Sequence, residues 1–382
     1  MSSSLPQELV DLIIDCLRDD LMTLSVCCLI SKAWVQRARE YLFANIEFNV
    51  YGRHVEQWER TFPYPTNSPA HNIRVLSIPQ PNLITAAHAD TLLTFCGVVR
   101  LDVDTNLLND QWVSLAPLHG LSPVLKSFRL TFASLPNPDI FDLVCSFPLL
   151  EDLTLIARSS RHDHPAWNGP STSPRFTGSF ELRLREEIYP TVHQMLSLPN
   201  GLHFTSIAVS WCSGQDIKAT MELVSKCPTT LESLCITNYF SGVFPPIPAS
   251  RQNFYLQVEN VHDLSIDLSR VTRLRGVELR CKRPNALWIS QALRTIKSKS
   301  IEQVSLDISL EVFWGAPRAW LDLDSLLVQL WDLHSLRIKI THESPGSSAY
   351  GREKVERLLP QVIGRRVAEV VGRLPGLPKT LD

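Results

Sequence analysis

The sequence predicts an α/β protein: a three-helix module at the N-terminus, then a solenoid of helix–turn–strand units whose strands form a curved parallel sheet. Two observations carry this expectation. Apolar residues recur at helical spacing over the first forty-odd residues, and a strand-like apolar template recurs at a near-constant interval over most of the rest. The length of 382 residues allows one large domain or two to three ordinary ones, and 44% hydrophobic with 20% charged residues is a globular balance.

The helical module spans residues 1–45. Pro6 suits the first position of a helix, where its missing N–H is no loss, and Glu8 suits the positive end of the helix dipole. Leu9, Ile13, Cys16 and Leu17 follow at helical spacing as one apolar stripe. Asp19-Asp20 interrupts the pattern, a second apolar segment runs from Leu21 to Ile30, and a third carries Trp34, Ala38, Tyr41 and Leu42. So few residues bury little surface, so the module is expected to need a partner surface. Residues 46–72, with the Pro-rich run from Pro63 to Pro69, read as a linker.

From 73 to 345 the template is apolar, two arbitrary residues, apolar, one arbitrary residue, apolar. It reads at Ile73-Leu76-Ile78, Val98-Leu101-Val103, Leu125-Phe128-Leu130 and Leu150-Leu153-Leu155, with a degenerate copy at Ser179-Leu182-Leu184. It continues at Phe204-Ile207-Val209, Leu231-Leu234-Ile236, Val261-Leu264-Ile266, Leu274-Val277-Leu279, Ile301-Val304-Leu306 and Leu333-Leu336-Ile338. Successive starts differ by 25, 27, 25, 29, 25, 27, 30, 13, 27 and 32 residues, mostly in or near the period of leucine-rich repeats. The 13-residue interval is too short for a helix. Either two strands meet at a turn around Ser269-Arg270, or one start is misplaced. Residues 158–175 (Arg158 to Arg175) are polar and Pro-rich and read as an insertion loop. A final helix from Arg352 to Leu374, within a capping segment 350–374, would present Val355, Leu359, Val362, Ile363, Val367 and Val370, with Pro360 and Gly364 weakening its middle.

The formal net charge of -2, from 37 basic and 39 acidic residues, gives no long-range field for nucleic acid or anionic membrane. Nine irregularly spaced cysteines without a C-x-x-C pair read as reduced core residues. There is no N-glycosylation triplet, no signal-peptide pattern and no apolar run of membrane-spanning length. A cytoplasmic or nuclear protein is expected.

Leu5-Pro6-Gln7-Glu8-Leu9, then Ile13, Leu17 and Leu24, then Cys28-Leu29-Ile30-Ser31-Lys32-Ala33-Trp34, resembles the F-box motif. The likeness is to fungal F-box proteins with degenerate leucine-rich repeats. It covers residues 5 to 45 for the F-box and, more loosely, 73 to 345 for the repeats. Two features depart from the family pattern: Ile30-Ser31-Lys32 ahead of the Trp region, and Asp19-Asp20 in place of the usual turn proline. The resemblance implies a substrate-recognition subunit of an SCF-type cullin–RING ubiquitin ligase. It places contact with the ligase's small helical adaptor, and through it a cullin, on Leu5, Pro6, Leu9, Ile13, Leu17, Leu24, Cys28 and Trp34. The competing reading is a leucine-rich-repeat scaffold whose helical N-terminus is only a cap.

Strand side chains alternate, so charged residues within the template face the side opposite the apolar ones. Arg100, Asp102, Asp104, Arg129, Glu181, Arg183, Arg185, Asp263, Asp267, Glu278, Arg280, Asp307, Arg337 and Lys339 hold those positions. A protein substrate is expected there, with Glu181-Arg183-Arg185 and Arg337-Lys339 as contact zones. A plain solvated sheet face accounts equally well for any single one of them. Nucleotide, hydrolase and metalloprotease motifs are lacking, and His162-Asp163-His164 stands alone as a metal candidate. Asp322 and Asp324 read as favouring a helix start. Neither catalysis nor a cofactor is expected; a hydrolase with an unrecognised site is a second alternative.

Overall fold

The computed structural model describes residues 5–48, 53–79, 88–105, 115–132, 137–157, 172–184, 188–211, 214–238, 266–281, 286–298, 300–309, 317–330, 335–341, 353, 356–364 and 368–373. The chain divides into two compact units, residues 1–175 and 176–382.

The first unit opens with three helices, α1 (Gln7–Cys16), α2 (Leu21–Ile30) and α3 (Lys32–Leu42). Pro6 sits one residue ahead of the expected position: it is the N-cap, and its carbonyl accepts from Leu9 and Val10. Asp20 begins α2 by accepting from the Thr23 N–H at 3.0 Å and the Thr23 hydroxyl at 2.6 Å, which satisfies groups a helix end leaves orphaned. Val10, Ile14, Leu24, Cys27 and Ala38 form a small core, flanked by Leu17, Cys28, Trp34, Tyr41 and Leu42.

No plain linker follows. Residues 46–72 hold most of strand β1 (Asn45–Glu47), helix α4 (Arg53–Thr61) and two 3-10 turns. Aromatic packing explains the order there. Phe43, at the end of α3, meets Trp58 and Phe62 edge-on at 6.0 Å, and Trp58 meets Phe95 at 5.5 Å. The helical module thus runs straight into the sheet, covered by α4.

Strand β1 starts a parallel sheet continued by β2 (Val75–Ile78), β3 (Arg100–Asp104), β4 (Ser127–Phe132) and β5 (Asp152–Ala157). Register aligns Ile46, Leu76, Leu101, Phe128 and Leu153 in one row, and Ile78, Val103, Leu130 and Leu155 in the next. These side chains, Ile46 apart, are almost wholly buried, under helices α5 (Ala89–Leu93) and α6 (Asn137–Cys145) and the turns beside them. Each strand begins alike: two successive N–H groups donate to one carbonyl of the preceding unit. Arg74 and Val75 donate to Ala44, Val99 and Arg100 to Arg74, Lys126 and Ser127 to Val99, and Glu151 and Asp152 to Lys126, all at 2.8–3.0 Å. The repeat is therefore a backbone repeat as well as an apolar one. Gly97 belongs to it, since a Cβ there would stand 2.7 Å from the His71 carbonyl oxygen.

The second unit repeats this plan. Strands β6 (Ser179–Leu184), β7 (Ser206–Trp211), β8 (Ser233–Asn238), β9 (Gly276–Cys281), β10 (Gln303–Ser309), β11 (Ser335–Thr341) and β12 (Ala368–Arg373) pair in parallel, each with its neighbour in sequence. Phe180, Ile207, Leu234, Val277, Val304 and Leu336 share one row. Helices α7 (Tyr189–Leu196), α8 (Gly214–Ser225), α9 (Ala286–Arg294), α10 (Pro317–Gln329) and α11 (Pro360–Gly364) alternate with the strands along the chain, except that no helix falls between β8 and β9 among the described residues.

Four expectations change. The degenerate copy is offset: Phe180 and Leu182 hold the inward positions, which restores a 27-residue spacing on either side (153 to 180 to 207). Strand β8 pairs directly with β9 in the sheet; of the expected Val261-Leu264-Ile266 copy, Val261 and Leu264 lie outside the described residues, and Ile266, like Leu268, is buried outside any strand. The C-terminal capping helix gives way to α11 and β12, so strands continue past 345. Proline starts α11, glycine ends it, and the alternation after Val367 suits a strand as well as a helix. Asp322 and Asp324 lie inside α10 rather than at its start. Residues 158–171 of the expected insertion loop, including His162, Asp163 and His164, lie outside the described residues.

Candidate protein-docking surface

At 100° per residue, α1 carries two apolar stripes side by side. Val10, Ile14 and Leu17 turn to the small core, while Leu9, Leu12, Ile13 and Cys16, with Leu5 just ahead of the helix, face water. Helix α2 is apolar almost all round. Leu24 and Cys27 turn inward, and Leu21, Met22, Val26, Leu29 and Ile30 stay outside; Leu29 is 86% exposed and Met22 79%. A helix apolar on every side is ordinarily buried on every side. Nine of the fourteen exposed large apolar side chains among the described residues fall between Leu5 and Ile30. Scattered exposed apolar residues are normal, and a concentration of this size marks an interaction site.

Of the eight residues expected at this contact, Leu5, Pro6, Leu9 and Ile13 are exposed. Leu24 is fully buried and belongs to the core, so it reaches no partner. Leu17, Cys28 and Trp34 are partly buried against that core and act chiefly as its flank. Leu12, Leu21, Met22, Val26, Leu29 and Ile30, for which no contact was expected, are exposed alongside Leu9 and Ile13. Their signal was the composition of α2, eight of whose ten residues are apolar in a module too small to hide them.

Polar groups fix the module from behind. The Arg37 guanidinium forks onto the Asp15 carboxylate, with Nε at 2.7 Å and Nη2 at 3.0 Å, and also reaches Glu40 at 2.7 Å. The Tyr41 hydroxyl donates to Asp15 at 2.9 Å, and the guanidinium lies over the Tyr41 ring, 5.2 Å from its centroid. Hydrogen bonds from Arg37 and then Tyr41 hold the Asp15 carboxyl below the ordinary aspartate value. The Thr23 hydroxyl and N–H do the same for Asp20.

On the outward sheet faces, charges two residues apart on one strand pair with each other. Arg100 holds Asp102 at 3.0–3.2 Å, Arg183 holds Glu181, and Arg280 holds Glu278 at 2.7 Å. Arg337 is exposed on β11; Lys339 lies on the same strand, and its side chain is outside the described residues. Arg185 and Asp263 lie outside the described residues. Asp267 is not on a strand; it closes a turn through the Ser269 N–H.

The buried acids serve the backbone. Asp216 on α8 accepts from the Ile188 and Tyr189 N–H groups at the start of α7, at 2.7 and 3.1 Å. Asp324 on α10 accepts from Gln361 and Val362 at the start of α11, at 3.0 Å each. Burial pushes the Cys145 thiol up to about 12, and Cys227 and Cys235 up to about 11, so all three stay protonated at neutral pH. Among the described residues no group of three His, Cys, Asp or Glu side chains could hold a metal, and no helix is long and apolar enough to cross a membrane. No protein-family model matches this chain, and no curated protein matches it.

Proposed function

We propose that this chain is the substrate-recognition subunit of an SCF-type cullin–RING ubiquitin ligase. Helices α1 and α2 dock on the small helical adaptor, and through it on a cullin, as an F-box does. The leucine-rich-repeat-like strands present a protein substrate on their outward faces. The chain itself performs no chemistry; it raises the local concentration of substrate beside the conjugating enzyme. The observation that carries this reading is the apolar face of α1 and α2, left in water although a complete small core lies behind it. A helix that only capped the sheet would turn that face toward the sheet.

For the substrate, the paired charges favour specificity over raw attraction. A partner has to supply groups that replace Arg100–Asp102, Glu181–Arg183 or Glu278–Arg280, or else leave a charge unpaired.

The test is co-purification with the adaptor. Met22→Asp with Leu29→Asp changes two side chains that contribute little to folding, and it should abolish the complex while the unfolding temperature stays put. Retention of the complex would sink the docking assignment and leave a repeat scaffold with a helical cap. Reversing Glu181 and Arg183 together should change the set of captured substrates.

A further inference from the structure

Helices α1 and α2 each pack on α3, which therefore backs both halves of the exposed apolar face. Between α1 and α3 the apolar contact is short, and polar groups supplement it. At one end the Gln7 side chain donates to the Ala33 carbonyl at 3.0 Å. At the other, Asp15 receives the Arg37 fork and the Tyr41 hydroxyl. Both partners of that fork are about two-thirds buried, with side-chain exposures of 35% and 36%. On α1, Asp15 points away from Leu9 and Ile13, while Leu12, three residues before it, is its neighbour on the helix surface.

We propose that Asp15, Arg37 and Tyr41 are positioning residues for docking: they seat α1 on α3 and so hold the two apolar stripes in one surface before a partner arrives. This rests on the docking reading above. A planar fork fixes orientation as well as distance, which a single point charge does not. A stripe already in place costs the complex no ordering; a stripe seated only part of the time weakens apparent affinity by that fraction.

The experiment compares Arg37→Gln, Asp15→Asn and Arg37→Lys in the full chain, reading adaptor affinity and backbone hydrogen exchange. Arg37→Gln and Asp15→Asn should weaken docking about tenfold and speed exchange in α1, with the strand amides unchanged. Arg37→Lys keeps the charge without the fork and should recover part of the loss. Leu234→Ala, in the core of the second unit, is the stability control; it should lower the unfolding temperature and leave docking alone. Unchanged affinity in Arg37→Gln, against a wild-type chain that binds, overturns the positioning role alone. A wild-type chain that fails to bind the adaptor overturns the ligase reading and this inference with it. Faster exchange everywhere in Arg37→Gln, with docking lost in proportion to stability, also overturns it by showing a merely structural role.

Discussion

The strands of the first unit and helix α2 are both rich in apolar residues, yet they dispose of that surface in opposite ways. In β2 to β5 every second side chain is apolar, and register stacks those side chains into rows that the helices cover. In α2 the apolar residues surround the axis, and only Leu24 and Cys27 find full cover. A repeat hides its surface by adding a neighbour, whereas a three-helix module has no neighbour to add. The difference teaches that composition alone marks neither core nor docking site. What sets α2 apart is apolar surface in excess of what its own unit can bury.

The comparison breaks first on large core truncations. Phe128→Ala in the first sheet should cost about 3–5 kcal/mol of unfolding free energy, and Leu24→Ala about 2–5 kcal/mol of the module's own stability. Leu29→Ala, in the same helix as Leu24, should stay within about 0.5 kcal/mol by denaturant titration while weakening the adaptor complex. Equal destabilisation by the two α2 variants would mean that the outer face of α2 is packed in solution, and the contrast would be lost.

Smaller effects sharpen the contrast inside the second unit. Asp216→Ala leaves the Ile188 and Tyr189 N–H groups buried without an acceptor and should cost about 1–3 kcal/mol. Asp324→Ala removes the same support from α11, so exchange protection of Gln361 and Val362 should fall before that of the strands. If Asp216→Ala unfolded at the wild-type denaturant midpoint, these acids would not be holding the helices in place.

The strands were legible because their alternation has a polar half to phase against. Leu101, Phe128, Leu153 and Ile207 fall where the template puts them. The template failed at Ser179, where Phe180 supplies the inward ring two residues earlier in the frame, packed 5.2 Å from Phe204. At the 13-residue interval the direct pairing of β8 with β9 favours the second of the two readings, a misplaced start at 261. Beyond residue 350, Val367, Val370 and Val371 stand three and four apart and suit a helix, while Ala368, Val370 and Gly372 alternate as in a strand, and only a neighbouring strand decides between them. In the N-terminal module the three helices were readable, but the side each residue faces was not. Leu9, Ile13 and Leu17 look like one stripe because α1 lacks a broad polar face between its two apolar ones. Periodicity cannot say which of two adjacent stripes turns inward, and so Leu24, expected at the surface, is buried while Leu29, given no role, is exposed.

Acid gives the smallest effect and separates the two regions by titration. Asp15 ties α1 to α3 and Asp20 begins α2, and both carboxyls sit below the ordinary value of 3.8 in the folded chain. A depressed folded-state value means that the stabilisation is whole above the unfolded value and fades as pH falls through the folded one. Docking should therefore be level from about pH 7 down to about pH 5 and weaken only below about pH 4. Over that lower interval the amides of α1 and of the first turn of α2 should exchange faster before those of β3 and β4, whose rows are held by apolar burial. Arg37→Gln removes the main cause of the Asp15 shift, so its docking should begin to fall at higher pH than that of the wild-type chain. Simultaneous loss of protection in α1 and β4, or an identical acid profile in the two proteins, would show that these carboxylates do not govern the docking face.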